Sequence, residues 1–92
     1  VRDLCVAHGI PLTIDVTWGG DITAAATVHM GATVPDPFYE GTWISYPYQE
    51  QAYSCLTPPV QPSNGTIPIP SGSGLGVEPD LANWDPALSI YD

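Results

Sequence analysis

Lysine is absent from these 92 residues, and Arg2 is the sole fixed positive charge against ten Asp and Glu, leaving a net charge of −9. Any Schiff-base or lysine-base mechanism carried by this chain is excluded, because both need a side-chain amine. So acidic a surface repels phosphate backbones and anionic lipid, which argues against nucleic-acid and membrane-surface binding. No apolar run approaches the roughly 18 to 20 residues needed to span a bilayer, and the start lacks the basic and apolar segments of a secretory leader. The expectation is a soluble, cytoplasmic protein. Only two cysteines occur, Cys5 and Cys55. They lie far apart with no second Cys or His at ligand spacing, so the sequence offers no metal site of its own, and buried reduced thiols are favoured over a bridge. A length of 92 residues allows at most one small domain and excludes a complete large enzyme. Val1 is not an initiator Met, so it marks either a processing point or a cut inside a longer reading frame.

What is present begins with Val1, Leu4, Cys5 and His8 at helical spacing, stopped by Gly9 and then Ile10-Pro11. This helix enters in mid-pattern with no capping residue, which predicts that its beginning lies outside the chain. Leu12, Ile14 and Val16 then alternate within a β-rich run over 10–16. After Trp18-Gly19-Gly20, Asp21 precedes an Ala-rich stretch that is apolar almost all round. It predicts a largely buried helix, capped by Asp21 and ending near 31–34. Helix end, strand, glycine turn and helix form the rhythm of a parallel-sheet α/β protein, and one such repeat cannot bury its own faces. Phe38 to Tyr46 has the aromatic and β-branched content of a second strand, broken at Pro47. The proline-rich stretch over 47–63 reads as a loop. Asn64-Gly65-Thr66 fits a hairpin turn leading to a short edge strand, and 71–76 fits a glycine-rich bend before an acidic tail.

Several side chains carry two readings each. Trp18-Gly19-Gly20 lies between a strand's carboxyl end and a helix, where glycine lets the backbone approach a ligand, although glycines make tight turns in any protein. Asp15, near the strand's end, is either a general base or hydrogen-bond acceptor for substrate, or a solvated carboxylate. Glu40 is either an acid kept protonated to stabilise a developing oxyanion or a surface charge. His8 and His29 lack ligand partners and read as packing or surface histidines. Gly72, Gly74 and Gly76 imitate a phosphate loop without its Lys or its helix. Asn64-Gly65-Thr66 also matches a glycosylation pattern, which a turn explains better in a chain without a leader.

Taken in order, His8 to Leu12 through Asp15, the Trp18-Gly19-Gly20-Asp21 turn, the Ala-rich helix with His29, Glu40-Gly41-Thr42-Trp43, Pro47-Tyr48 and Gly74-Leu75-Gly76-Val77 resemble one known family. It is the carboxyl-terminal end of the mandelate racemase and muconate lactonizing enzyme group of the enolase superfamily. The likeness covers most of 1–80 and is weakest over 49–63. It implies that 10–16 is strand seven of a modified (β/α)₇β TIM barrel, 21–33 helix seven and 40–44 the region of strand eight. Residues 1–57 would belong to the barrel, and 58–92 would form a tail folding back on an amino-terminal capping domain, with 66–70 as an added edge strand.

Family members remove the proton α to a carboxylate and stabilise the enediolate on Mg²⁺. The outcomes are racemisation, epimerisation, dehydration or cycloisomerisation, so they are isomerases and lyases. Their acidic metal ligands and lysine bases lie on strands upstream of Val1, so the resemblance makes this chain a fragment, inactive alone and binding no Mg²⁺ by itself. Asp15 stands where related members place a histidine base, and Glu40 approximates an eighth-strand Glu that bonds the substrate carboxylate. Thr17, Trp18, Gly19 and Gly20 would bind substrate, and Asp21 would cap. The implied partners are a small carboxylate substrate and the rest of the barrel with its capping domain. The apolar surface left open predicts self-association. Two readings of other classes remain open. One is a stand-alone binding module with Tyr39, Trp43, Tyr46, Tyr48 and Tyr53 as an aromatic surface. The other is a secreted β domain with Cys5 and Cys55 bridged and Asn64 glycosylated.

Overall fold

A computed structural model describes residues 1–16, 18–45, 48–50, 55–57 and 60–83. Helix α1 (Arg2–Ala7) is closed by Gly9 at a φ of +69, with Ile10 N–H donating to Cys5 O at 2.8 Å and Gly9 N–H to Val6 O at 3.1 Å. Those bonds satisfy carbonyls that a helix end leaves free, and the positive φ explains the glycine. No residue of α1 is buried. Strand β1 (Leu12–Asp15) follows, then α2 (Asp21–Gly31), a 3₁₀ turn at Asp36–Phe38, β2 (Tyr39–Trp43) and a second 3₁₀ turn at Leu81–Asn83.

Strands β1 and β2 pair in parallel, the connection expected when a helix returns the chain over the sheet. Leu12 is opposite Tyr39, but Thr13 is opposite Gly41, so Glu40 is the extra residue of a β-bulge. Gly41 takes a φ of +145 there, backbone that favours glycine. Beyond the bulge, Ile14 meets Thr42 and Asp15 meets Trp43. The fold is therefore a small α/β unit with one two-stranded parallel sheet, consistent with part of a larger α/β barrel; among the described residues the sheet does not close.

Burial alternates along β1: Leu12 and Val16 are buried, Ile14 half-buried, Thr13 and Asp15 exposed. The even positions face α2, whose buried residues Asp21, Ala24, Ala25, Thr27, Val28 and Gly31 share one side. Helix α2 is thus one-sided in burial despite its apolar circumference, with Ala26 and Met30 exposed. Val16, Ala24, Ala25, Val28, Ile44 and Val60 form the core, and Ile67, Leu75 and Val77 pack on its rim. The tail therefore contributes to the same core as the helix. A Cβ on Gly31 would collide with the Thr42 hydroxyl, so this glycine sets how closely α2 approaches β2. Gly31→Ala is expected to cost about 1–3 kcal/mol, the usual penalty of overpacking, read as a lowered midpoint of thermal unfolding.

Two expectations need correction. Asp21 does not cap α2: the N-cap is Gly20, no side-chain bond caps the helix, and Asp21 is its first residue. The 66–70 stretch forms no strand; Asn64 (φ +50) and Gly65 (φ +77) do turn the chain, with one isolated bridge between Ser63 and Thr66. Pro68 and Pro70 lack the N–H groups with which a ladder would continue. Cys5 and Cys55 are free thiols, so the bridged β domain is not formed. No helix among the described residues is long and apolar enough to cross a membrane.

Candidate functional site

The face of the sheet turned away from α2 carries Thr13 and Asp15 from β1 and Gly41 and Trp43 from β2. At its carboxyl edge, Asp15 and Trp43 are register partners, a spacing at which side chains on one sheet face meet. Both are exposed. Tyr48, beyond the end of β2, stacks on Trp43 with ring centroids 5.8 Å apart and planes 13° from parallel. Tyr48 N–H donates to Ser45 O at 2.9 Å, and Gln49 Nε2 donates to the buried Ser45 Oγ at 2.7 Å, so the loop beginning at Ser45 is tied at its root. A carboxylate and a stacked indole and phenol thus stand at one edge of the sheet.

The turn after β1 completes this edge. Trp18 holds a φ of +47 and is 62% exposed. A bulky residue in left-handed backbone costs on the order of 1–3 kcal/mol, and such strain clusters at functional sites. Gly19 lies where a Cβ would come within 2.6 Å of Thr23 Oγ1, and Gly20 is buried as the N-cap of α2. Thr17 lies outside the described residues.

Asp21 takes a role different from capping. Its side chain is 1% exposed, Oδ2 accepts the Cys55 N–H at 2.9 Å, and the buried Oδ1 has no partner among the described residues. Burial, together with the Asp21 charge, pushes the Cys55 thiol above the ordinary thiol range. A group whose folded pKa is raised favours folding below its unfolded pKa, and that contribution is lost as pH rises through the folded value. The Cys55 contribution therefore fades on the alkaline side.

Glu40 is not brought to this edge. It lies in the bulge near the Leu12 level, three residues before Trp43, about 10 Å away at the usual strand rise. There it lines an open cleft of about 680 Å³ with Asp36, Val28, Thr66 and Ile67, between the end of α2, the start of β2 and the turn at Asn64-Gly65. His29 Nε2 lies 3.1 Å from Leu75 O, holding the tail to α2, so its role is packing. Among the described residues no group of three or more His, Cys, Asp or Glu could hold a metal ion, so they do not fit a Mg²⁺ centre.

The structure puts Asp15 and the Trp18 turn at one sheet edge and adds Trp43, which the sequence offers as part of an aromatic surface and of the Glu40-Gly41-Thr42-Trp43 motif. The missed signal was the register: once 12–15 and 39–43 are strands of a parallel sheet, their last residues stand side by side. Tyr39 leaves that surface, since its hydroxyl donates to Thr42 Oγ1 at 2.8 Å on the α2 side. Tyr46 and Tyr53 lie outside the described residues.

A parallel-sheet α/β unit with its polar and aromatic side chains gathered at the carboxyl edge is the pattern of an α/β-barrel enzyme, where active sites occupy that edge. Residues 1–83 match the enolase C-terminal domain-like family, and the chain belongs to that family, within the enolase superfamily. A stretch of 38 residues is 58% identical to the cis-3-hydroxy-L-proline dehydratase of Roseibium aggregatum, spanning 41% of this chain and 10% of that protein.

Proposed function

We propose that the chain supplies strand seven, helix seven, strand eight and the returning tail of a (β/α)₇β dehydratase barrel whose substrate is a hydroxylated amino acid of the cis-3-hydroxy-L-proline kind. The observation that carries this reading is the Asp15–Trp43 pair with Tyr48 stacked behind it. A substrate bearing a carboxylate and an ammonium presents its cation to such a pair, whereas an acid sugar offers it only repulsion. The relative acting on cis-3-hydroxy-L-proline supports the same substrate class.

In this reading Asp15 accepts a hydrogen bond from the substrate nitrogen and keeps it protonated. The ammonium then draws electrons from Cα and makes the proton α to the carboxylate easier to remove, while the hydroxyl on the neighbouring carbon, given a proton by an acid from elsewhere in the complete barrel, departs as water. Trp43 holds the other side of the cation, Tyr48 fixes the indole plane, and Trp18, Gly19 and Gly20, with Thr17, wall the pocket. Mg²⁺ and the bases come from strands elsewhere in the complete barrel, and the tail from 58 onward returns to a capping domain. Glu40, at the other end of β2, makes no contact with substrate.

The test joins this segment to the remainder of such a barrel, with Mg²⁺, and offers it cis-3-hydroxy-L-proline and a panel of acid sugars. Loss of one water from the hydroxyproline, with the sugars unchanged, is the expected result. Turnover of a sugar acid but not of the amino acid would defeat the assignment. Within the same protein, Glu40→Gln is expected to leave KM for the amino acid within about twofold, since a side chain about 10 Å from the edge adds little in water. A large rise in KM would instead place Glu40 in the site.

A further inference from the structure

The N–H of Cys55 is held by the buried Asp21 carboxylate. Asp21 itself begins α2 directly after the Trp18-Gly19-Gly20 turn, six residues beyond Asp15. One side chain thus ties Cys55 to the turn after β1. The tie continues into the tail, where Leu56 N–H donates to Glu78 O at 2.8 Å and Cys55 bridges Pro79. His29, eight residues along α2 from Asp21, meets Leu75, four residues before Pro79. The tail therefore touches α2 at His29 through Leu75 and reaches the Asp21 end through Cys55 and Pro79.

A carboxylate is the side chain suited to this place. It lies in the first turn of an 11-residue helix, whose free N–H groups and dipole favour negative charge. Its Oδ2 accepts the Cys55 N–H, and Oδ1 has no hydrogen-bond partner among the described residues.

We propose that Asp21 is a positioning residue: its buried carboxylate fastens Cys55, and with it the tail at Pro79, to the turn after Asp15 and so fixes the Trp18-Gly19-Gly20 wall relative to the substrate-facing carboxylate. This role rests on the reading of Asp15, Trp43 and Tyr48 as the site. Asp21 touches no substrate.

Three forms of the chain test it: unaltered, Asp21→Asn and Asp21→Ala. Amide exchange at Cys55, alkylation of Cys55 against pH, and affinity for cis-3-hydroxy-L-proline are read in each. In the unaltered chain the Cys55 amide is protected and its thiol reacts only above the ordinary thiol range. Asp21→Asn keeps an acceptor, so amide protection and affinity are retained while the Cys55 profile moves down toward the ordinary thiol range. Asp21→Ala loses amide protection at Cys55 and weakens affinity about fivefold or more, through lost preorganisation of the turn after β1. A Cys55 amide exchanging freely in the unaltered chain would overturn the fastening, without reference to any ligand. Equal affinity of the Ala and unaltered forms would overturn the positioning. Failure of the unaltered chain to bind the amino acid, with the Cys55 amide protected, would instead strike the site reading on which the role depends and overturn the positioning role with it.

Discussion

Asp15→Asn is expected to weaken binding of an amino-acid ligand by about 1–2 kcal/mol, roughly five- to thirtyfold in Kd. The side chain keeps its shape and an acceptor oxygen but loses the charge that the ammonium meets. A hydrogen bond to a charged group is worth about 1.5–3 kcal/mol when sheltered, and the exposure of Asp15 lowers that range through solvent screening. Trp43→Ala removes the indole face and leaves Tyr48 without its stacking partner. The expected loss is about 0.5–2 kcal/mol, and Trp43→Phe should recover part of it because a smaller ring still presents a negative face. Isothermal titration of each variant with cis-3-hydroxy-L-proline measures these changes. The losses from Asp15→Asn and Trp43→Ala should not add fully, since the two groups address one cation.

The largest effect on stability is expected from Ile44→Ala. Ile44 is 4% exposed and belongs to one buried cluster with Val16 of the strand side, Ala24, Ala25 and Val28 of α2, and Val60 of the tail. Truncation removes apolar contacts from all three and leaves a cavity, at a cost of about 2–5 kcal/mol. Typical stabilities run about 0.05–0.15 kcal/mol per residue, so a loss of that size is a large share of what 92 residues hold. Denaturant unfolding of the variant should show a markedly lower midpoint, or no folded baseline. A control at exposed Ala26, Ala26→Ser, should shift the midpoint by about 0.5 kcal/mol or less.

Much of the local structure was legible because it follows from local chemistry. Gly9 followed by Ile10-Pro11 marks the end of α1, alternation at Leu12, Ile14 and Val16 marks β1, and the Ala-rich stretch marks α2. Asp21 shows where such reading stops. An Asp before an apolar helical run is the sequence pattern of a cap, but a cap is a bond within four residues, and the bond Asp21 makes is to Cys55, 34 residues on. Nothing in the intervening sequence encodes that return. The edge strand failed for a related reason: Asn64-Gly65 carries enough information to make a turn, but pairing after the turn needs N–H groups that Pro68 and Pro70 do not have.

The site divides along the same line. Asp15 and the Trp18-Gly19-Gly20 turn stand next to one another in the chain and could be picked out by type and place. Trp43 is 28 residues from Asp15 and joins it only through the parallel register, while the bulge at Glu40 shifts that register by one and moves Glu40 away from the carboxyl edge. A one-residue bulge changes which residues of a strand share a face and an end, and it leaves no mark in composition beyond the glycine that permits it.

The central claim is that this edge recognises an ammonium. It is tested most directly by following the Trp43 indole N–H resonance while the chain is titrated with L-proline and, separately, with cyclopentanecarboxylate, which has the same ring and carboxylate without the nitrogen. The account predicts a saturable shift with L-proline that is lost in Asp15→Asn, and none with the nitrogen-free acid. Equal shifts from the two ligands, or a shift from the nitrogen-free acid alone, would contradict it.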